Sequence, residues 1–257
     1  MSYRIAVAGK GGVGKTTLAA LIIRALHERT GRIVMAVDAD PNSNLGEMLG
    51  VRVERTLGQL REDFMRQIDS LPTGVSKQEY LGQQMRLAMV EGKGFDLLSM
   101  GRPEGRGCYC YINNMLRTLL DNAMDSYEYV VIDNEAGMEH LSRRTTSHMD
   151  LLLLVSDATT IGVRTASRLL GLAKEMELEV KSIALAINGI RGQIHSSVEE
   201  TVQRVSTDAT FMIPFSQQIY DISLEGKSVW DLSGSDPAFH AVRSMLDSVL
   251  RFINIGH

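Results

Sequence analysis

Cysteine is scarce in this sequence: there are two among 257 residues, both in the short run Cys108-Tyr109-Cys110. A small secreted scaffold stapled by disulfides is therefore excluded as the building plan. Long apolar runs are missing as well. A stretch such as Leu151–Val155 falls far short of the ~20 residues needed to span a bilayer. The chain enters a strand-like run, Tyr3–Ala8, without the basic and apolar stretches of a leader, so a cytoplasmic protein with no membrane partner is expected. Charge of one sign is not in excess either. Lys and Arg number 27 against 31 Asp and Glu, a net charge of -4, which weighs against a broad nucleic-acid-binding surface. No internal repeat, low-complexity tract or credible linker is visible, and one domain over residues 1–257 is the simplest expectation.

What is present is an alternation. Short β-rich apolar runs lie near Tyr3–Ala8, Ile33–Asp38, Phe95–Met100, Tyr129–Asp133, Leu151–Ser156, Ser182–Asn188 and Thr210–Pro214, separated by longer amphipathic stretches. The pattern predicts an α/β fold with a mainly parallel sheet of about seven or eight strands and helices on both faces. The runs between Tyr129 and Asn188 are almost wholly apolar, as strands covered on both sides should be. Leu18, Leu21, Ile22, Ala25 and Leu26 form one helical stripe, and Phe239, Val242, Leu246, Val249, Leu250 and Ile253 form another. The long excursion Pro41–Gly94 carries apolar residues at helical spacing (Leu57, Leu60, Phe64, Ile68, then Leu81, Met85, Met89). Two or more helices are expected there rather than a loop.

The first strand run leads into Gly9-Lys10-Gly11-Gly12-Val13-Gly14-Lys15-Thr16, followed by the first helical stripe. This is a phosphate loop in its proper strand–loop–helix context, and it makes the fold a single-domain P-loop fold. Gly11, Gly12 and Gly14 let the backbone turn its amides inward at dihedrals a Cβ would resist. A helix beginning near Lys15 adds its positive end, Lys15 a full charge, and Thr16 a hydroxyl suited to magnesium.

The string Lys10 to Thr17, with its extra lysine, resembles the deviant Walker A loop of the MinD/ParA/nitrogenase-iron-protein ATPases. That resemblance implies binding of ATP or ADP with magnesium by Gly11, Gly12, Val13, Gly14, Lys15, Thr16 and Thr17. It also implies ATP hydrolysis in a homodimer, with Lys10 reaching the nucleotide of the other subunit. Ligands of open parallel sheets sit beyond the carboxyl ends of strands. The acids there, Asp38 and Asp40 after the second run and Asp133 after the fourth, resemble the family's two switch segments. The resemblance gives Asp40 the attacking water, Asp38 a supporting role at magnesium or that water, Asp133 magnesium through water, and Gly137 a backbone contact to the γ-phosphate. Taken singly, each Asp could equally cap a following helix. Asn188 matches the family's adenine-contacting Asn, with Pro214-Phe215 completing the base pocket. The sequence after Asn188 is not the guanine-reading pattern, which favours ATP over GTP.

Cys108 and Cys110 form a poor disulfide, because extended side chains at that spacing diverge, but they can offer two thiolates to a soft metal. A tetrahedral thiolate site needs four ligands, and this chain has no further cysteine. Either His140 or His148 completes it, or a two-fold dimer brings both pairs together, and the dimer is the favoured reading. Two buried apolar cysteines are the plain alternative. The run Gly101–Asn114, with Asp133-Asn134-Glu135-Ala136-Gly137-Met138-Glu139-His140, resembles the CooC-type accessory ATPases, over essentially the whole chain. That resemblance implies nickel, or zinc, at Cys108 and Cys110, and carbon monoxide dehydrogenase as the client. Two other classes stand beside it. An iron-protein-like electron carrier would want a cysteine just after Asp133, where there is none. A MinD/ParA-like positioning ATPase would want a membrane-targeting tail or a DNA-binding face.

Overall fold

The computed structural model describes residues 2–68, 74, 76–101, 110–136 and 148–254. Eight strands build one sheet: β1 (Tyr3–Gly9), β2 (Val34–Asp38), β3 (Val90–Gly92), β4 (Phe95–Ser99), β5 (Tyr129–Asp133), β6 (His148–Asp157), β7 (Glu179–Ile190) and β8 (Ala209–Pro214). Their order is β3-β4-β2-β5-β1-β6-β7-β8. Every pairing is parallel except that of β3 with β4. The nine helices are α1 (Lys15–Thr30), α2 (Leu45–Leu49), α3 (Leu57–Gln67), α4 (Lys77–Ala88), α5 (Cys110–Met124), α6 (Thr160–Glu175), α7 (Ser196–Gln203), α8 (Gln217–Glu225) and α9 (Pro237–Asn254), counted among the described residues.

Strand alternation decides which helix lies where. On β1, Ile5 and Val7 join the cluster built with Leu18, Ile22 and Leu26 of α1 and Phe239, Val242 and Leu246 of α9. Ala6 and Ala8 face the other way, toward Val163, Ala166 and Leu170 of α6. On β2, Met35 and Val37 share that second face with α3, α4 and α5, whose stripe Ile112, Leu116, Leu120, Met124 repeats at helical spacing. Helices thus cover both faces, as the apolar strand runs require.

The excursion Pro41–Gly94 holds α2, α3 and α4. A reciprocal cap between Thr56 and Gln59 starts α3, and Ser76 accepts from the Glu79 amide to start α4. It also holds β3, which the strand runs did not include. Two strands start three residues before their apolar runs. β6 begins at His148 and β7 at Glu179, because their polar first residues pair with one another rather than with solvent alone.

Orientation matters for the site. Arg4, near the start of β1, donates to Asp125 at 2.8 Å and pairs with Asp121 at 3.5 Å, so the C-terminal end of α5 lies at the N-terminal ends of the strands. The beginning of α5, at Cys110, therefore points toward the carboxyl ends, where β1 runs into the phosphate loop.

Candidate functional site

β1 ends at Gly9, which lies so close to β6 that a Cβ there would sit 2.4 Å from the Val155 carbonyl oxygen. The chain then turns through Gly12 (φ 80°) and Gly14 (φ 88°), left-handed conformations that side chains resist. Gly14 is required a second time: a Cβ would stand 2.4 Å from the Asn188 Nδ2. Gly14 is the N-cap of α1 and supplies no side-chain cap, and the first turn has no acid. The first in-helix bond is the Leu18 amide to the Gly14 carbonyl, 3.0 Å, so the amides before it remain open to an anion. Lys15 is buried, and its Nζ donates to the Lys10 carbonyl at 3.2 Å; Lys10 itself is exposed on the rim. A buried cation whose one direct hydrogen bond goes to a carbonyl is arranged to receive an anionic ligand.

The sheet brings the switch acids together. Asp38 and Asp133 are direct register partners on β2 and β5, and both are fully buried. Their surroundings differ. Asp38 accepts from the Asp40 amide at 3.1 Å and the Leu45 amide at 3.0 Å, holding the turn that follows β2. Burial pushes its carboxyl up to about 6, against the pull of those two amides. Asp133 has no hydrogen-bond partner on either oxygen. Burial raises it to about 7; the nearby Thr16 hydroxyl and Lys15 hold it back, and the charges of Asp38 and Asp40 add to the rise. An orphaned buried carboxylate beside a threonine hydroxyl is a donor set that fits magnesium. Among the described residues no group of three or more His, Cys, Asp or Glu is arranged to hold a metal ion. Such a magnesium would accordingly draw its other ligands from phosphate and water.

Asp40 is partly exposed, and its Oδ1 accepts from the Asn42 amide at 2.8 Å. Two residues that the sequence reading missed steady this turn. Ser43 adopts φ 53°, its amide bonds the Asp40 carbonyl at 2.9 Å, and its hydroxyl meets the Ser99 hydroxyl at 2.7 Å. Fifty-six positions of sequence separate the two serines, and no local signal joins them. Ser99 ends β4, and the backbone bond from the Met100 amide to the Asp38 carbonyl (2.8 Å) ties the two strand ends again.

On the other flank, Asn188 donates its Nδ2 to the Val13 carbonyl at 2.8 Å. A carbonyl only accepts, so the amide's orientation is fixed and its Oδ1 is left as the acceptor. Asn188, Pro214, Gly12 and Gly14 line a cavity of about 430 Å³ beside the phosphate loop.

The remaining candidates divide. Cys108, Gly137 and His140 lie outside the described residues, and Cys110 is placed only as the first residue of α5. His148 lies far from Cys110 at the start of α5. It opens β6, 3.7 Å from Asp150 and from Glu179, at the end of the sheet opposite the start of α5. At about 3.3 Å per residue, the length of β6 separates it from the carboxyl end by roughly 30 Å.

Comparison with known proteins agrees with this geometry. The CobQ/CobB/MinD/ParA nucleotide binding domain matches residues 5–229. An uncharacterized ATP-binding protein of Methanocaldococcus jannaschii is 41% identical over 96% of this chain and 98% of its own. The carbon monoxide dehydrogenase accessory protein CooC of Rhodospirillum rubrum is 34% identical over 96% of this chain and 97% of its own. The MinD cell division protein of Aquifex aeolicus superposes with a TM-score of 0.69 at 25% identity, covering 99% of this chain and 97% of that one. With its glycine cradle, buried lysine and adjoining carboxylates, the chain belongs to the CobQ/CobB/MinD/ParA family of nucleotide-binding ATPases.

Proposed function

We propose that this protein is an ATP-dependent, dimerising metallochaperone that serves the maturation of carbon monoxide dehydrogenase, with nickel as its cargo and zinc as the alternative occupant of the same thiolates. The observation that carries the reading is the 34% identity over 96% of this chain with an accessory protein of that enzyme, joined to the sequence Cys108-Tyr109-Cys110, of which Cys110 opens α5 at the nucleotide end of the sheet.

In this reading the amides of Gly11 to Thr17 and the Lys15 ammonium hold the triphosphate of ATP, and Lys10 of each copy reaches the nucleotide of the other. Thr16 and Asp133, supported by Asp38, hold magnesium. When bound, that ion neutralises charge on the phosphate oxygens. Asp40, on the turn held by Asp38 and Ser43, aligns the water that cleaves ATP to ADP and phosphate. Asn188 and Pro214 receive the adenine. Dimerisation brings Cys108 and Cys110 of both copies together as four thiolates around one nickel ion. Because that site exists only in the dimer, nucleotide and metal promote each other's binding by the same factor.

Metal content and oligomeric mass, measured with ADP and with a non-hydrolysable ATP analogue, test the reading. One nickel per dimer with the analogue, absent from Cys108→Ala, is the expected result. Nickel-driven dimerisation that persists in Cys108→Ala overturns the shared site. A MinD/ParA-like positioning ATPase would want a membrane-targeting tail or a DNA-binding face, and co-sedimentation with lipid or DNA would bring that reading forward. Phe239, Val242, Leu246 and Val249 of α9 supply no such face, because they pack in the core with α1.

A further inference from the structure

Beside the orphaned acid lies a second buried polar side chain, to which the site as described gives no task. Asn134, the residue after Asp133, is 1% exposed. Its backbone amide and its Nδ2 both donate to the Val7 carbonyl, each at 3.0 Å, and Nδ2 also reaches the Ile132 carbonyl at 3.4 Å. Carbonyls only accept, so the side-chain amide is oriented with Nδ2 toward β1 and β5 and Oδ1 turned away from them. That Oδ1 is buried and has no partner.

The side-chain bond is not one the sheet requires. The Val7 carbonyl is already met by the Asn134 amide, and the orphaned Oδ1 carries the desolvation cost of an unpaired acceptor. An apolar residue of the same shape would hold the strands as well or better. The place of the bond is therefore what matters. Val7 is the register partner of Asp133 and stands just before the phosphate loop. The Asp133 carbonyl accepts from the Ala39 amide at 2.9 Å, so the chain after β2 holds one side of this strand end and β1 the other. Farther on, the chain passes the phosphate loop so closely that a Cβ added to Gly11 would lie 3.8 Å from the Cβ of Ala136. The phosphate loop and the chain after β5 leave the sheet side by side, and Asn134 doubles the bond between them. The Asp133 carboxylate has no hydrogen bond of its own, so this strand end sets its direction.

We propose that Asn134 is a positioning residue for magnesium: by fastening the end of β5 to β1, it aims the Asp133 carboxylate for the ion. This rests on the magnesium reading of Asp133 given above and adds the residue that sets its geometry. Groups that orient a metal ligand without touching the metal change affinity or activity by about ten- to a hundred-fold when removed.

Titration calorimetry of the full chain with ATP, in magnesium and in EDTA, tests this beside urea unfolding of the nucleotide-free protein. Asn134→Leu keeps the volume without the donor, and Asn134→Ala removes donor and volume together. In both, the tightening of ATP by magnesium should shrink by about ten-fold or more, while ATP binding in EDTA stays within about two-fold. The urea midpoint of Asn134→Leu should equal or exceed that of the wild type. A midpoint that falls in both variants while the magnesium effect survives makes Asn134 a fastening of the fold and overturns the proposal. So does a magnesium effect lost in Asn134→Leu but kept in Asn134→Ala, which traces the loss to bulk. Should Asn134→Leu fail to fold, Asn134→Ala decides alone. Wild-type protein whose ATP affinity ignores magnesium would instead overturn the magnesium reading itself.

Discussion

Asp133 and Asp150 are the same residue on neighbouring parts of one sheet, both buried, and their circumstances are opposite. Asp150, near the start of β6, accepts from the Arg4 amide at 2.8 Å and pairs with the Lys181 ammonium at 2.8 Å. Asp133, at the end of β5, has neither oxygen satisfied. At the N-terminal ends of the strands, charge is used to fasten the fold: Arg4 ties β1 to the end of α5, and Lys181 ties β7 to β6. At the carboxyl ends, charge is buried and left open. A folded protein carries such a cost where a ligand removes it. The contrast locates the working end of the molecule without appeal to any motif.

Replacing each acid by its neutral isostere should therefore move stability in opposite directions. Asp150→Asn removes the charge that Lys181 answers and should destabilise the protein by about 2 kcal/mol, less than a fully buried pair because Lys181 is largely exposed. Asp133→Asn relieves a buried unpaired charge but leaves an orphaned amide, for a net gain on the order of 1 kcal/mol in the nucleotide-free protein. Urea unfolding of both variants at neutral pH measures the gap of about 3 kcal/mol. Loss of stability in Asp133→Asn equal to that in Asp150→Asn would erase the distinction between the two ends.

The pH dependence sharpens the same point. Asp133 stands at about 7 and Asp38 at about 6 in the folded chain, both raised from 3.8 chiefly by burial. Between those limits the folded state binds more protons than the unfolded one. Stability contributed by this pair is full below the unfolded value and is lost as pH rises toward 7. One such proton is worth about 1.4 kcal/mol per pH unit. The nucleotide-free wild type should thus lose more stability between pH 5 and pH 7 than Asp133→Asn does, by about 2 kcal/mol. Denaturation midpoints at the two pH values check it; parallel curves would mean that Asp133 is ionised and satisfied.

Much of the working end was readable because its signals are local. The glycines, Lys15 and Thr16 sit in one unbroken string, and the apolar strand runs fall close to the observed strands. What was hidden depends on distance or on polar partnership. His148, Asp150, Glu179 and Lys181 look like loop residues until β6 and β7 lie side by side and pair them. β3 has three residues and a single partner strand, too short a run to register as a pattern. That Asp38 and Asp133 lie opposite one another follows from the sheet register, which no spacing along the chain encodes. The Arg191 guanidinium lies over the Phe215 ring only because β7 and β8 pair.

The contact between Ser43 and Ser99 is the finest test of the comparison, because it concerns geometry at the working end without any charge. Ser43 is held at φ 53°, a conformation that a non-glycine residue adopts at a cost, and its hydroxyl bond to Ser99 is one of the contacts that stabilise it. Ser99→Ala removes one neutral hydrogen bond, and the expected loss in unfolding free energy is small, about 0.5–1.5 kcal/mol. The effect on turnover should exceed that on binding. The phosphate cradle is untouched, so the KM for ATP should stay within about two-fold, while Asp40, whose carbonyl holds Ser43, loses its fixed turn and kcat falls several-fold. Steady-state ATPase assays separate the two parameters. A fall in kcat with KM intact places the two serines among the residues that position Asp40, whereas a loss confined to stability would make them a fastening like those at the other end of the sheet.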